Sequence, residues 1–175
     1  FGLSLILFGI LSFISLFSHD LTEQPFGLPL NYDANNYLGY FGIYISYYHF
    51  FILGYTSIIF PLVFTLLGFF LFTNKDIKII FIPAIYIFCI GIIFSTIMSF
   101  FADISNNLIL NNYFSGIIGY SILTFLKHFL GILGTSVILL LSLILLITNM
   151  FKISIYTLFK TIYDWSKKIV FKFYS

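Results

Sequence analysis

Three glycines with a fixed spacing occur twice in this chain, and that repeat constrains the fold more than any other feature. The second set follows the first by 77 positions and gives three pairs, which are Gly39 with Gly116, Gly42 with Gly119, and Gly54 with Gly131. Glycine lacks a Cβ atom, so it marks tight turns and close approaches of the backbone. A repeat with preserved spacing predicts one supersecondary unit that is used twice.

The composition places both units in a membrane. Hydrophobic residues make up 61% of the 175 positions and charged residues only 8%, whereas soluble domains carry about 25% charged residues. A chain of this length could not hide so much apolar surface from water. We therefore predict an all-α integral membrane protein. The net charge of +2 is too small to indicate nucleic-acid binding.

Four apolar segments predict four transmembrane helices. Their boundaries are about residues 1–17, 55–73, 79–101 and 132–149. A span needs about 20 residues, so the short first segment leads us to expect further residues upstream. The membrane domain then covers residues 1–149. Residues 150–175 are expected to form a cytoplasmic, amphipathic segment that carries lysines.

Each unit also contains a helix that is expected to lie at the outer membrane surface. In residues 37–53 the tyrosines recur in steps of three and four, which places them along one helical stripe, and tyrosine favours the membrane–water interface. In residues 113–130 the polar face is formed by Tyr113, Tyr120, Ser121, Thr124, Lys127 and His128. Gly54 and Gly131, helped by Gly134, are expected to make the bend into the bilayer, and Pro61 is expected to kink the second span.

The two units are predicted to be parallel repeats, because each returns to the side on which it starts. Seven of the eight lysines fall on one side, and the opposite side holds Lys127 and most of the acids, including Asp20, Glu23 and Asp103. Lysine-rich loops stay in the cytoplasm. We therefore expect both termini to be cytoplasmic and the loops 18–38 and 102–115 to face outward.

The search for chemistry predicts no catalytic, cofactor or metal site in this chain. His19, Asp20, Glu23 and Asp103 match no metal-ligand spacing, and solvated loop ends explain them better than an outer metal ion. Lys127 and His128 are interpreted as an interfacial pair rather than a proton relay. No charged residue lies at the centre of a span, which argues against an ion or proton carrier. We assign packing roles to Gly39, Gly42, Gly54, Gly116, Gly119, Gly131, Gly134 and Pro61, and outer-loop contacts to Asp20 and Glu23.

Several segments, in order, resemble the membrane region of FtsK/SpoIIIE-type DNA translocases. Residues 18–25 (SHDLTEQP) are similar to that family's S-Y-D-P-x-D-x-S element, with Leu21 and Glu23 in place of the usual Pro and Asp. Residues 36–44 (NYLGYFGIY) resemble N-x-L-G-x-x-G-A-x, with Ile43 in place of Ala. Residues 50–57 (FFILGYTS) resemble F-x-x-F-G-x-A-A/S. In the second unit, Gly116-Ile117-Ile118-Gly119 and residues 130–135 (LGILGT) are similar to G-x-x-G and L-G-x-x-G-T.

The resemblance implies the four-span membrane anchor of a cell-division protein in the bacterial inner membrane. It implies oligomerisation, location at the division septum, and contacts with lipids and with other division proteins. ATP, Mg and DNA binding would belong to a motor located downstream, so this fragment is not expected to be an enzyme. Two alternatives are a small hydrophobic subunit of a respiratory or other membrane complex and, less favoured, half of a transporter.

Overall fold

The computed structural model describes residues 1–26, 28–29, 32–105, 108–152 and 167, and the regular structure in these ranges is helical. The elements follow in the order α1 Gly2–Phe17, α2 Gly39–Leu53, a 3₁₀ helix Gly54–Ile58, α3 Ile59–Phe72, α4 Ile77–Ile104 and α5 Leu108–Phe151. Non-helical backbone at Gly116 and Gly131 interrupts α5. We call residues 117–130 the middle part of α5 and residues 132–151 its last part.

Three helical runs in the described residues are long and apolar enough to cross a membrane. They are Gly39–Phe72, Lys78–Ile104 and Phe114–Phe151. The apolar α1 has 16 residues, a length of about 24 Å, which is shorter than the roughly 30 Å of a hydrocarbon core. The prediction of an all-helical membrane protein is thus confirmed for this part of the chain, whereas four spans in two parallel repeats stay a prediction.

Close packing of glycine joins α1 to α3. A Cβ atom added at Gly68 would lie 2.7 Å from the Ile6 backbone nitrogen and 2.8 Å from the Gly2 carbonyl oxygen. One added at Gly9 would lie 3.0 Å from the Pro61 carbonyl oxygen. Helices in membranes associate through such small residues, because lipid tails supply no hydrophobic force that drives helices together. In the second half of the chain, α4 packs along α5.

The interior of the molecule is built mainly from small residues, and large side chains point outward. Among the described residues, buried apolar side chains are few and include Ile43, Leu53 and Leu123. In contrast, Phe17 is 76% exposed and Leu133 is 82% exposed. The buried hydroxyl residues are Ser12, Ser15, Ser46, Ser57, Ser95, Thr96, Ser99, Ser115, Thr135 and Thr148. This distribution fits a chain whose outer surface faces lipid rather than water.

The turn between α3 and α4 is tightly closed by its own backbone. Asn74 has φ of 52°, and the Lys75 amide donates to the Phe70 carbonyl oxygen at 3.0 Å, as in a Schellman motif. Asp76 then caps α4, since its carboxylate accepts from the Lys78 amide at 3.0 Å. A short turn of four residues, 73–76, therefore links the two helices.

Pro61 does not kink the second span. The 3₁₀ helix Gly54–Ile58 separates α2 from α3, so Pro61 falls in the first turn of Ile59–Phe72, where no amide hydrogen is required. The first surface helix begins at Gly39 rather than at residue 37. The predicted lysine-bearing segment 150–175 lies largely outside the described residues.

Candidate functional site

We call each repeated set of three glycines a frame, the first being Gly39, Gly42 and Gly54 and the second Gly116, Gly119 and Gly131. The outer two glycines of each frame adopt a backbone conformation that disfavours other residues. The φ angle is 60° at Gly39, 59° at Gly54, 60° at Gly116 and 64° at Gly131. The ψ angles of Gly116 and Gly131 are −179° and −177°. This region is essentially restricted to glycine, and other residues pay roughly 1–3 kcal/mol to enter it. The repeated spacing therefore reports a repeated backbone geometry, in which glycine bounds a helix at both ends.

The end of the first frame meets the start of the second frame in what we call the central joint, formed by Ile52, Gly54, Tyr55, Phe114 and Gly116. A Cβ atom at Gly116 would lie 2.6 Å from the Gly54 nitrogen and 2.6 Å from the Ile52 carbonyl oxygen. One at Gly54 would lie 2.5 Å from the Phe114 carbonyl carbon. The rings of Tyr55 and Phe114, with centroids 5.0 Å apart, cover the contact. The two frames are thus in contact head to tail.

The middle glycine of each frame makes room for a polar neighbour. A Cβ atom at Gly42 would lie 2.7 Å from the Asn36 side-chain carbon, and one at Gly119 would lie 2.6 Å from the Ser95 backbone. The Ser15 hydroxyl donates to the Gly42 carbonyl oxygen at 2.5 Å. The Ser95 hydroxyl donates to the carbonyl oxygen of Ser115. Different side chains therefore use the same opening in the two frames.

Three of the predicted packing residues contact no second helix within the described residues. A Cβ atom at Gly39 or Gly131 would meet nothing within 4 Å in the described structure. One at Gly134 would approach only Leu130, one turn earlier in the same helix. The predicted packing residues that do lie at contacts between elements are Gly42, Gly54, Gly116, Gly119 and Pro61.

Asp20, a predicted outer-loop contact, holds the two ends of the loop together. Its carboxylate accepts from the Thr22 amide at 2.9 Å and the Thr22 hydroxyl at 2.7 Å. The Asn35 side-chain amide donates to the second carboxylate oxygen at 3.2 Å. These bonds, led by the one from the Thr22 amide, lower the pKa of Asp20 below 3.8. The carboxylate is therefore engaged within the chain.

Glu23, the second predicted outer-loop contact, is 2% exposed. One of its carboxylate oxygens accepts from the Asn35 backbone amide at 2.6 Å. The next residue, Asn36, donates its side-chain amide to the Ser15 carbonyl oxygen at 3.0 Å and to the Ser18 carbonyl oxygen at 3.3 Å. The end of the loop thereby satisfies carbonyl groups at the end of α1, which the helix itself leaves free.

His19 lies between the end of α1 and the side of α2. Its Nδ1 atom is 3.0 Å from the Ser46 hydroxyl, and its ring stacks on Phe50 with centroids 4.2 Å apart. Because the Ser46 hydroxyl donates to the Ile43 carbonyl oxygen at 3.2 Å, neutral His19 donates from Nδ1. Burial lowers the pKa of His19 below 6.5, against the opposing charges of Asp20 and Glu23.

The tyrosine stripe of α2 supports the outer loop. The Tyr40 hydroxyl donates to the Pro29 carbonyl oxygen, and the Tyr44 hydroxyl donates to the Pro25 carbonyl oxygen at 3.4 Å. Phe26 packs edge-on against Tyr44, with centroids 6.4 Å apart. From the sequence, the tyrosines were expected to lie at the membrane–water interface. Phe26 in the outer loop was the sequence feature that could have indicated their contact with the loop.

In the second unit an ion pair ties α4 to the middle part of α5. The Lys127 ammonium nitrogen lies 2.5 Å from an Asp103 carboxylate oxygen, and both side chains are 31% exposed. On the same part of α5, Tyr120, Thr124 and His128 help to line an open groove of about 470 Å³. Of the predicted polar face, Tyr120, Ser121, Thr124 and His128 line this groove, and the side chain of Tyr113 lies outside the described residues. The partner of Lys127 was not predicted from sequence spacing.

In the described part of the chain, no three His, Cys, Asp or Glu side chains come together where they could hold a metal ion. Asp103 pairs with Lys127, while His19 faces Ser46. Asp103 and His19 thus each contact another residue of the chain. What the arrangement offers is a tightly packed joint, a loop fixed by hydrogen bonds, and broad apolar outer surfaces.

Comparison with known protein families gives one assignment. Residues 1–163 match the family described as the 4TM region of DNA translocase FtsK/SpoIIIE. No curated protein and no solved structure matches the chain. The match covers most of the 175 residues, so the chain belongs to this family of membrane regions, as its sequence resemblance predicted.

Proposed function

We propose that this member of the FtsK/SpoIIIE 4TM family is the inner-membrane anchor, assembly and septum-targeting module of a DNA translocase that acts in cell division and chromosome segregation. The family match over residues 1–163 carries the proposal. The matched family is a membrane region rather than a motor domain, so the chain itself is non-catalytic. DNA binding, ATP and Mg would belong to a motor elsewhere in the full protein.

The membrane arrangement that we propose has four spans and two surface helices. The spans are α1, α3, α4 and the last part of α5, and the surface helices are α2 and the middle part of α5. Gly54 and Gly131 provide the break between surface helix and span in each unit, since both have positive φ. This arrangement places the outer loop and the Lys127–Asp103 pair on one side of the membrane.

The opposite side of the membrane is the cytoplasm in this proposal. The turn that contains Lys75 and Lys78 lies there, as does Lys152 at the end of α5. Positively charged loops that flank spans stay in the cytoplasm. Both termini are then cytoplasmic, which is the side on which a DNA motor must work. The surrounding lipids and other division proteins of the membrane are the expected partners.

Septal location is the direct test of targeting. A fluorescent protein fused after Ser175 should concentrate at the division site of dividing bacteria. An unrelated four-span protein with the same fusion, expressed at a matched level, is the control. Equal labelling of the whole cell envelope by the two proteins would contradict targeting, while loss of membrane labelling would contradict anchoring.

Topology is tested separately by thiol labelling in intact cells. With Cys89 replaced by serine, single cysteines at exposed Asp33 and exposed Asn74 report on opposite sides. A membrane-impermeant maleimide should label Asp33→Cys from the outside and should label Asn74→Cys only after the membrane is opened. The reverse pattern would overturn the orientation.

A further inference from the structure

The central joint is a contact between two unlike surfaces. The end of the first frame supplies Gly54 and Tyr55, while the start of the second supplies Phe114 and Gly116. Such a head-to-tail contact leaves one surface of each kind unused, because each frame has both a start and an end. When a contact of this type is repeated, it builds a ring or an open row rather than a closed pair.

The unused surfaces are open in the part of the chain that the structure describes. A shift of 77 positions converts each residue of the central joint into its counterpart, which pairs Gly54 with Gly131, Tyr55 with Ile132, Gly116 with Gly39, and Phe114 with Tyr37. Among the residues that the structure describes, and apart from chain neighbours, nothing lies within 4 Å of a Cβ atom placed on Gly39 or on Gly131. Tyr37 is 79% exposed and Ile132 is 54% exposed. The two halves of a second joint are therefore present but lie apart.

A groove adjoins the open start of the first frame. It has a volume of about 620 Å³ and runs between α1 and α3, where Ile14, Phe17, Tyr37 and Leu62 help to line it. Every residue that lines it is apolar except the tyrosine and one threonine. The groove thus extends the apolar surface on which a neighbouring helix could pack.

The equivalent surface in the second unit is already filled. There Gly91, the counterpart of Ile14, lies against the side chain of Ile59 from the first unit. The counterpart of Ile59 is Ser136. Inside the chain the small Gly91 of α4 therefore faces the large Ile59 of α3. At the open surface the large residue is Ile14 of α1 and the small one is Ser136 of α5, so the two sizes are exchanged. Core packing tolerates changes that conserve total volume, so this exchange matches a second contact of the same shape.

We propose that a second copy of this chain occupies the groove, with the Gly131 end of one copy on the Gly39 end of the next. Ile132 then packs on Tyr37, and Ser136 lies over Ile14. The step from copy to copy repeats the step from unit to unit, so all copies keep the same orientation in the membrane. This inference names the partner in the assembly part of the proposed function and rests on it.

Cross-linking in native membranes tests the joint. In a Cys89→Ser background, Tyr55→Cys with Phe114→Cys calibrates a short bis-methanethiosulfonate reagent, because those two rings are in contact within the chain. Tyr37→Cys with Ile132→Cys should give a ladder of multimers with the same reagent. The two single variants, expressed together, should give dimers that contain one of each, and neither should give dimers alone.

The size exchange provides a second and independent test. Ser136→Ile overfills the proposed contact, and overpacking of this kind should lower cross-linking of the Tyr37/Ile132 pair by roughly tenfold. Adding Ile14→Gly recreates the Gly91/Ile59 combination and should restore it. Ser136→Ile that leaves cross-linking unchanged, or no restoration by Ile14→Gly, would show that these residues do not face each other.

Several results would overturn the joint. One is an absent ladder while Tyr55/Phe114 cross-links, which would leave lipid as the occupant of the groove. Another is efficient dimerisation of Tyr37→Cys alone, which would indicate a symmetric contact. Failure of the joint with retained septal fluorescence would remove this inference and leave targeting intact. A ladder of cross-linked multimers without septal enrichment would support the joint and contradict septal targeting.

Discussion

The backbone of Gly54 lies directly on the backbone of Gly116, so the two repeated frames touch at a point where neither residue can carry a side chain. The contact joins the end of α2 to the first break in α5, and both residues have positive φ, 59° and 60°. Two separate physical reasons, backbone strain and lack of space, therefore require glycine at each position.

Replacing Gly54 by alanine should destabilise the chain more than replacing Gly131. Both substitutions place a Cβ atom at positive φ, which costs roughly 1–3 kcal/mol, but only Gly54 also has backbone atoms in the way. We expect that crowding to add about 1–3 kcal/mol. Thermal unfolding of each variant as a dilute detergent-solubilised monomer measures the difference. Equal losses for the two variants would contradict the packing role of the central joint.

The Lys127–Asp103 pair should contribute modestly to stability. At 31% exposure for each side chain, the pair is screened by solvent, so we expect a coupling of about 1 kcal/mol or less. A double-mutant cycle with Lys127→Gln and Asp103→Asn isolates this coupling from the separate effects of each change. Lys78→Gln, at the predicted opposite side of the membrane, is the control. Coupling that does not weaken with added salt would argue against an ion pair.

Acidification below pH 6.5 should loosen the outer loop through His19. Burial lowers the pKa of His19 below 6.5, so the folded chain prefers the neutral ring. Its contribution to stability is complete above the unfolded pKa and is lost as pH falls from about 6.5 toward the folded pKa. The thermal unfolding midpoint of the native chain should therefore decrease as the pH is lowered from about 8 to about 5. The midpoint of His19→Gln should change less over the same pH range.

Asp20 provides the contrast for that experiment. Its pKa is lowered from 3.8 by hydrogen bonds led by the one from the Thr22 amide. The corresponding stability is present above 3.8 and is lost only as pH falls through the folded pKa. In Asp20→Asn, the unfolding midpoint should therefore still decrease as the pH is lowered from about 8 to about 5. A response abolished by Asp20→Asn, and kept by His19→Gln, would contradict the role given to His19.

Glu23 should tolerate glutamine better than alanine. The carboxylate is 2% exposed and accepts the Asn35 amide hydrogen at 2.6 Å. Glutamine keeps an acceptor and removes a buried charge, whereas alanine leaves the amide without its partner at a cost of about 1–3 kcal/mol. Limited proteolysis of residues 18–38 should be faster for Glu23→Ala and little changed for Glu23→Gln. Equal rates for the two variants would contradict this role.

The glycine frame was the part of the fold that sequence reasoning located best, because unusual backbone geometry leaves a residue-level mark. The breaks in the structure fall at Gly39, Gly54, Gly116 and Gly131, which are the outer members of both frames. The middle members instead admit Asn36 and Ser95. Spacing alone does not distinguish these two uses of glycine.

Contacts that depend on helix length and on loop placement were missed. The Lys127–Asp103 pair requires α4 to continue to Ile104, beyond the predicted end at residue 101. The two tyrosine hydroxyls bind loop carbonyl groups, and no local pattern fixes the path of that loop. A kink was predicted at Pro61 because the span was expected to begin at residue 55. The 3₁₀ helix Gly54–Ile58, which moves the start of α3 to Ile59, has no recognisable sequence pattern.

The outward placement of large side chains has a consequence for how sequences of this architecture diverge. A lipid-facing Phe, Ile or Leu can be exchanged for another with little loss, since lipid solvates them alike. The serines and glycines between helices have no such freedom. Drift should therefore erase overall identity while leaving a sparse set of small residues in register. A common ancestor of two such anchors is therefore best detected by the shared spacing of their glycines and serines, rather than by the overall identity of their sequences.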